Sequence, residues 1–193
     1  MPVARSGPRP PEPLEHKVTA VPPGKTIQSE FIRRVLATVA VVYASWLAFM
    51  ATHEAGHVLH ALLAGGTVDR VVLPLWGFSR TDVMGGGSRT FIVAGGPLWG
   101  VLLPAMLSGV VSVMRGSLPT WLRFFCGFCL AANGAYIGVG WLEPTGDAGE
   151  LRSLGVPIAV MVALGATSFA WGLWMWRRVP NPFRSRHDTG ALS

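Results

Sequence analysis

The sequence predicts an all-α integral membrane protein: about four transmembrane helices, with a short β-hairpin or re-entrant loop between the first two. Composition is the first reason. Half of the 193 residues are hydrophobic and only 13% are charged, against roughly 25% charged in an ordinary soluble domain. The second is distribution. The apolar residues gather in four long runs, and the charges collect at the ends and in a few loops. The third is length, since about 20 apolar residues span a bilayer as a helix.

Residues 1–31 are rich in Pro and charge and lack apolar periodicity, so a disordered or extended tail is expected there. They do not read as a signal peptide, because the apolar run begins too late and continues too long. The first apolar segment runs from about Phe31 to Ala64. It starts beside Arg33 and Arg34 and stops at Gly65-Gly66, a helix-ending pair. Its last third reads HEAGHVLH, so a polar helix end facing a protein-lined cavity is expected. The next segments, roughly Phe91–Val113, Trp121–Trp141 and Val156–Trp176, suit one crossing each. Between the first two, Thr67–Leu73 is strand-like, and Pro74, Gly77 and Gly85–Gly87 break structure. Such backbone at membrane depth must be buried against protein or face water. The expected division is therefore a tail at 1–31, a membrane domain at 32–178 and a basic disordered tail at 179–193.

The net charge of +6 does not read as nucleic-acid binding, because the basic residues flank apolar runs and form no stripe with interleaved aromatics. Four crossings put both termini on one side. That side holds Arg5, Arg9, Lys17, Lys25, Arg33, Arg34, Arg115, Arg123, Arg177, Arg178, Arg184 and Arg186. The other holds Arg70, Arg80, Arg89 and Arg152. The positive-inside rule then places both termini in the cytoplasm.

The chemistry lies in HEAGH. Residues i and i+4 share a helix face, so His53 and His57 can offer two imidazole nitrogens to one metal ion. Glu54 projects beside them and can take a proton from water at the metal. Zinc is the expected ion, because it accepts nitrogen and oxygen ligands in a tetrahedron and leaves a position for water. It lowers the water pKa to about 7 and polarises a carbonyl, which suits peptide hydrolysis. The plainer alternative is a pair of packed histidines. It is weaker because ionisable residues inside membrane segments are costly and mark function. Two histidines leave the metal short of a ligand. His60 shares the face, but one helix rarely wraps three ligands around a tetrahedral ion. Asp147, in WLEPTGDAGELRSLG beyond the third segment, is the better candidate, ahead of Glu143 and Glu150. A solvated loop aspartate or a helix N-cap is the alternative for it.

HEAGH late in a first membrane helix, AGGPLWG opening a second and EPTGDAG after a third resemble the site-2 protease family of intramembrane zinc metallopeptidases. The likeness is closest to its short bacterial M50-type members and covers about Ala51–Leu154. It implies zinc held by His53, His57 and Asp147, with Glu54 as general base. It also implies a multi-pass protein of a bacterial cell membrane that acts on a membrane-protein substrate. The pattern departs from the family's in three places. Trp141 stands where an asparagine usually precedes the Pro, Ala148 follows Asp147 where Gly is usual, and Gly100 occupies a region where an Asn is frequent. Those asparagines are associated with holding the substrate strand, so the departures bear on proteolysis more than on zinc binding. Asn133 is a possible substitute. The resemblance implies a site nearer the cytosol, whereas the charge count puts the end of the first helix on the opposite side.

The alternative function is a catalytically weak zinc-binding scaffold or regulator. A small transporter or metal-transfer protein ranks third, since segments two to four offer few polar residues. Cys126-Gly-Phe-Cys129 sits inside an apolar helix and reads as packing, not as a redox pair. Gly95-Gly96-Pro97 and Gly100 form a small-residue face expected to pack on the HEAGH helix. A groove-shaping role for that face is implied by the resemblance. Trp171, Trp174 and Trp176 beside Arg177-Arg178 read as an interfacial belt.

Overall fold

The computed structural model describes residues 23–180, with side chains from residue 28 onward. The elements run α1 (Pro23–Leu63), β1 (Gly66–Val72), β2 (Arg80–Gly85), α2 (Arg89–Arg115), α3 (Thr120–Val139), a 3₁₀ turn (Gly140–Leu142), α4 (Gly146–Ser153) and α5 (Ile158–Trp176). Four helices are long and apolar enough to cross a membrane: Gln28–Leu63, Arg89–Arg115, Thr120–Leu142 and Ile158–Trp176. Large apolar side chains such as Leu36, Val113 and Leu164 face outward on them.

Each break has a local cause. Gly65, at φ +74°, takes the left-handed turn that ends α1. Ser88 caps α2, its Oγ accepting from the Phe91 N–H. Gly116 closes α2 with φ +68°. Pro119 and Pro157 stand just before α3 and α5.

The four long helices pack as sequential antiparallel neighbours. Gly56 of α1 meets Gly95 of α2, Gly100 of α2 meets Asn133 of α3, and Gly134 of α3 meets Gly165 of α5. One core cluster, Val93, Ile137, Ala148, Leu151 and Met161, joins α2, α3, α4 and α5 at one end. Another, Leu122, Cys126, Leu130 and Met175, fills the opposite end. The two cysteines are free and buried, in keeping with a packing role.

β1 and β2 form an antiparallel hairpin that folds back along α1. Its connecting loop is held by Tyr43, whose Oη donates to the Leu75 carbonyl at 3.0 Å. Tyr43 lies ten residues before His53, roughly 15 Å along the helix. The segment between α1 and α2 is thus a hairpin docked on α1.

Four expectations need correction. Residues 23–31, read as tail, belong to α1, because Pro at a helix start sacrifices no intrahelical hydrogen bond. The rest of the expected tails, 1–22 and 181–193, lies outside the described residues. The segment around Asp147, read as a loop, contains α4. Gly100 packs against Asn133 of α3 and not against the HEAGH helix. Trp176 turns inward, stacking on Phe124 and donating to its carbonyl at 3.0 Å, while Trp171 and Trp174 stay exposed.

Candidate metal centre

His53 and His57 lie one turn apart on α1, both buried, with their Nε2 atoms 3.3 Å from each other. Asp147 enters from the first turn of α4, 94 residues after His53. Its Oδ2 stands 2.7 Å from His53 Nε2 and 3.2 Å from His57 Nε2. The three ligand atoms lie within 4.8 Å of one another and can hold a metal ion.

Glycines make this convergence possible. A Cβ on Gly95 would stand 2.5 Å from the Gly56 carbonyl oxygen, so α1 and α2 touch backbone to backbone. A Cβ on Gly96 would overlap His57 Nε2 and stand 2.5 Å from His53 Nε2. Gly96 therefore keeps open the space beside the imidazole nitrogens.

The surrounding contacts orient the ligands. His57 Nδ1 lies 3.1 Å from the Ile92 carbonyl. Donation there leaves Nε2 as the nitrogen with a free lone pair. His53 Nδ1 is buried and has no hydrogen-bond partner among the described residues. Its ring is held by Phe49 and, edge-on, by Tyr136. The Asp147 N–H donates to Tyr136 Oη at 2.8 Å. Gly146 before it has φ +77°, and a Cβ there would stand 2.6 Å from the same phenol oxygen. Arg89 at the start of α2 holds Glu150 of α4 through two hydrogen bonds, at 2.6 and 3.1 Å. Burial pushes the Asp147 carboxyl up, but the facing His53 and His57 imidazoles outweigh it and hold the group well below the usual carboxylate range. Asp147 thus presents a carboxylate oxygen to both imidazoles.

Glu54 is 3% exposed, and its Oε2 accepts from Thr81 Oγ1 of β2 at 2.6 Å. The other candidates stand apart from the trio. His60 Nδ1 lies 2.6 Å from the Phe91 carbonyl, and its ring stacks on Phe91. Glu150 is engaged by Arg89, and Glu143 ends the exposed 3₁₀ turn. Asn133 is buried and donates through Nδ2 to the Pro97 carbonyl at 2.6 Å, within the α2–α3 contact.

Sequence reasoning missed Thr81, Tyr136 and the role of Gly96. Tyr136 carried a signal, as a polar phenol in an apolar helix and one of only two tyrosines in the chain. Thr81 carried none, since threonine is an ordinary strand residue.

No protein-family model matches the chain, and neither a curated protein nor a solved structure matches it.

Proposed function

We propose that this chain is an intramembrane zinc metallopeptidase of the site-2 protease type, with Glu54 as its general base. The observation that carries the reading is the meeting of His53, His57 and Asp147, from α1 and α4, with a buried carboxylate, Glu54, next to His53 in the chain. Two imidazoles and one carboxylate are a donor set that zinc accepts in a site with one position left for water. A tetrahedron with ligand distances of about 2.0–2.1 Å has edges of about 3.3 Å. The separations of 3.3 and 3.2 Å fit that size, and the 2.7 Å contact is a direct His53–Asp147 hydrogen bond.

Bound there, zinc would acidify water and polarise a peptide carbonyl. Glu54 takes the proton from the attacking water and returns it to the departing amine. His53, His57 and Asp147 hold the charge that makes the attack favourable. Water must reach this level of the helix bundle. The hairpin beside Glu54 carries exposed Arg70 and Arg80, paired at 3.2 and 3.4 Å with half-buried Asp82. Charged side chains at membrane depth face water or pair with one another, which supports a wet face next to the base. The substrate's helix must unwind locally, because an intact helix shields its carbonyls.

Depth follows from the helix register. Val93, just before the glycine pair, packs with Ile137 and Met161. Met161 lies three residues inside the start of α5, which puts the centre roughly 5–10 Å from that end of the bundle. Arg33, Arg34, Arg115, Arg123, Arg177 and Arg178 lie at the opposite end. We read that end as cytoplasmic, with both termini there and the centre nearer the other face of a bacterial cell membrane. A reporter fused after Ser193 is expected to read cytoplasmic. The opposite result would turn the centre toward the cytosol.

Glu54→Gln separates an enzyme from a scaffold. A peptidase should keep its zinc and lose about 100- to 10,000-fold in cleavage rate. His53→Ala should lose both zinc and cleavage. One observation favours the scaffold reading. Asn133 and Asn181 are the chain's asparagines, and the Asn133 amide is already committed to the Pro97 carbonyl. A scaffold predicts that Glu54→Gln complements like wild type while His53→Ala does not.

A further inference from the structure

We propose that Thr81 is the positioning residue of Glu54: its hydroxyl, delivered by the hairpin, fixes the carboxylate that acts as the base. The assignment of a catalytic role rests on the peptidase reading above.

A glutamate one residue from a metal ligand can still point its carboxylate in several directions, because its outer torsions are soft. Something must choose one. Glu54 is 3% exposed, so bulk water does not. Among the described residues no ion pair includes Glu54. Its side-chain partner is Thr81 Oγ1, which donates to Oε2 at 2.6 Å. That is a short hydroxyl–carboxyl hydrogen bond. The bond occupies Oε2 and leaves Oε1 to receive a proton.

The hairpin is built to present this hydroxyl. Thr81 pairs with Val71, and the ladder slips between Val68 and Arg70, leaving Asp69 as an extra residue. Such a bulge re-aims the side chains that follow it. Beyond it, Arg70 stands opposite Asp82 and Val71 opposite Thr81. Arg70, Arg80 and Asp82 therefore pair on one face, and Thr81 lies on the other, against α1. The connecting loop is anchored separately. Tyr43 Oη donates to the Leu75 carbonyl, and the Tyr43 and Trp76 rings lie 5.3 Å apart. The hairpin thus rests on α1 at Tyr43 and at Glu54, eleven residues apart. A strand docked at two such points places a hydroxyl more reproducibly than a free loop.

The test uses the full chain, zinc-loaded in lipid vesicles, as wild type, Thr81→Val, Thr81→Ser and Glu54→Gln. Valine keeps the β-branched shape and removes the hydroxyl, whereas serine keeps the hydroxyl. The probe substrate is a single-span membrane protein with a Gly-Pro break in its span. The second readout is the infrared carboxylate band of Glu54, isolated as wild type minus Glu54→Gln. Thr81→Val is expected to keep its zinc, shift the band and lower kcat about tenfold or more, the scale of one lost charge-assisted hydrogen bond. KM should stay unchanged, and Thr81→Ser should restore both band and rate. An unmoved band in Thr81→Val overturns the proposal. So does a rate loss that serine fails to rescue, since shape alone would then be at work. A band that shifts in Thr81→Val, alongside a wild type that never cleaves the probe, would keep the Thr81–Glu54 link and overturn the peptidase reading instead.

Discussion

The α3–α5 crossing and the α1–α2 crossing are both lined with glycine, but the missing side chains make room for different things. At α3–α5 the room is for backbone. A Cβ on Gly134 would stand 2.5 Å from the Phe169 nitrogen, and one on Gly165 would stand 2.5 Å from the Gly138 Cα. Gly172 lies equally close to Ala131 and Gly127. This is the close packing that drives helix association where lipid supplies no hydrophobic force. At α1–α2 the Gly56–Gly95 contact does the same. One residue further on, Gly96 makes room beside two imidazole nitrogens. The same residue type serves stability in one crossing and a candidate centre in the other. The physical difference is what lies opposite: a backbone that can touch, or ligand atoms that must not be covered.

Substitution of these glycines should separate the two uses, and the largest effect is expected at Gly96. Gly96→Ala places a methyl group on the ligand nitrogens. Metal analysis should find zinc falling from about one per chain to near zero, with helix content retained. Gly134→Ala should do the reverse. The helices must part, which costs about 1–3 kcal/mol in a packed core, and thermal melts should show it while the folded fraction keeps its zinc. Full zinc in Gly96→Ala would abolish the distinction.

A smaller effect is expected from Tyr136→Phe, which removes the acceptor for the Asp147 N–H. Loss of an outer partner of a metal ligand typically weakens binding about 10- to 100-fold. Chelator competition would measure it, and unchanged affinity would show that α4 places Asp147 without the phenol. The smallest is Ser168→Ala. Its Oγ donates to the Leu130 carbonyl within the α3–α5 crossing, at 2.8 Å. Interhelical hydrogen bonds in membranes average about 0.6 kcal/mol. Zinc affinity should not move, and any change would reveal coupling between the two crossings.

The helices were legible because their signals are local. An apolar run of span length and a Gly stop need no partner to be read, and they place α2, α3, α5 and the end of α1 within a few residues. The tail boundary and α4 were misread for the same reason. Pro and charge suit a helix's first turns as well as a tail, and α4 is eight polar and small residues with no apolar run.

By itself the sequence determined the number of long helices, the place of the hairpin and the pairing of His53 with His57, because the helix period alone puts residues i and i+4 on one face. It also named Asp147, but only as the better of several acids. Tertiary structure alone decided that Asp147 meets the histidines while Glu150 turns to Arg89, that Gly96 faces the imidazoles while Gly100 faces Asn133, and that Thr81 reaches Glu54. These are contacts between elements distant in the chain. They depend on the depth at which each helix crosses its neighbour and on a one-residue slip in a hairpin, and no local periodicity records either.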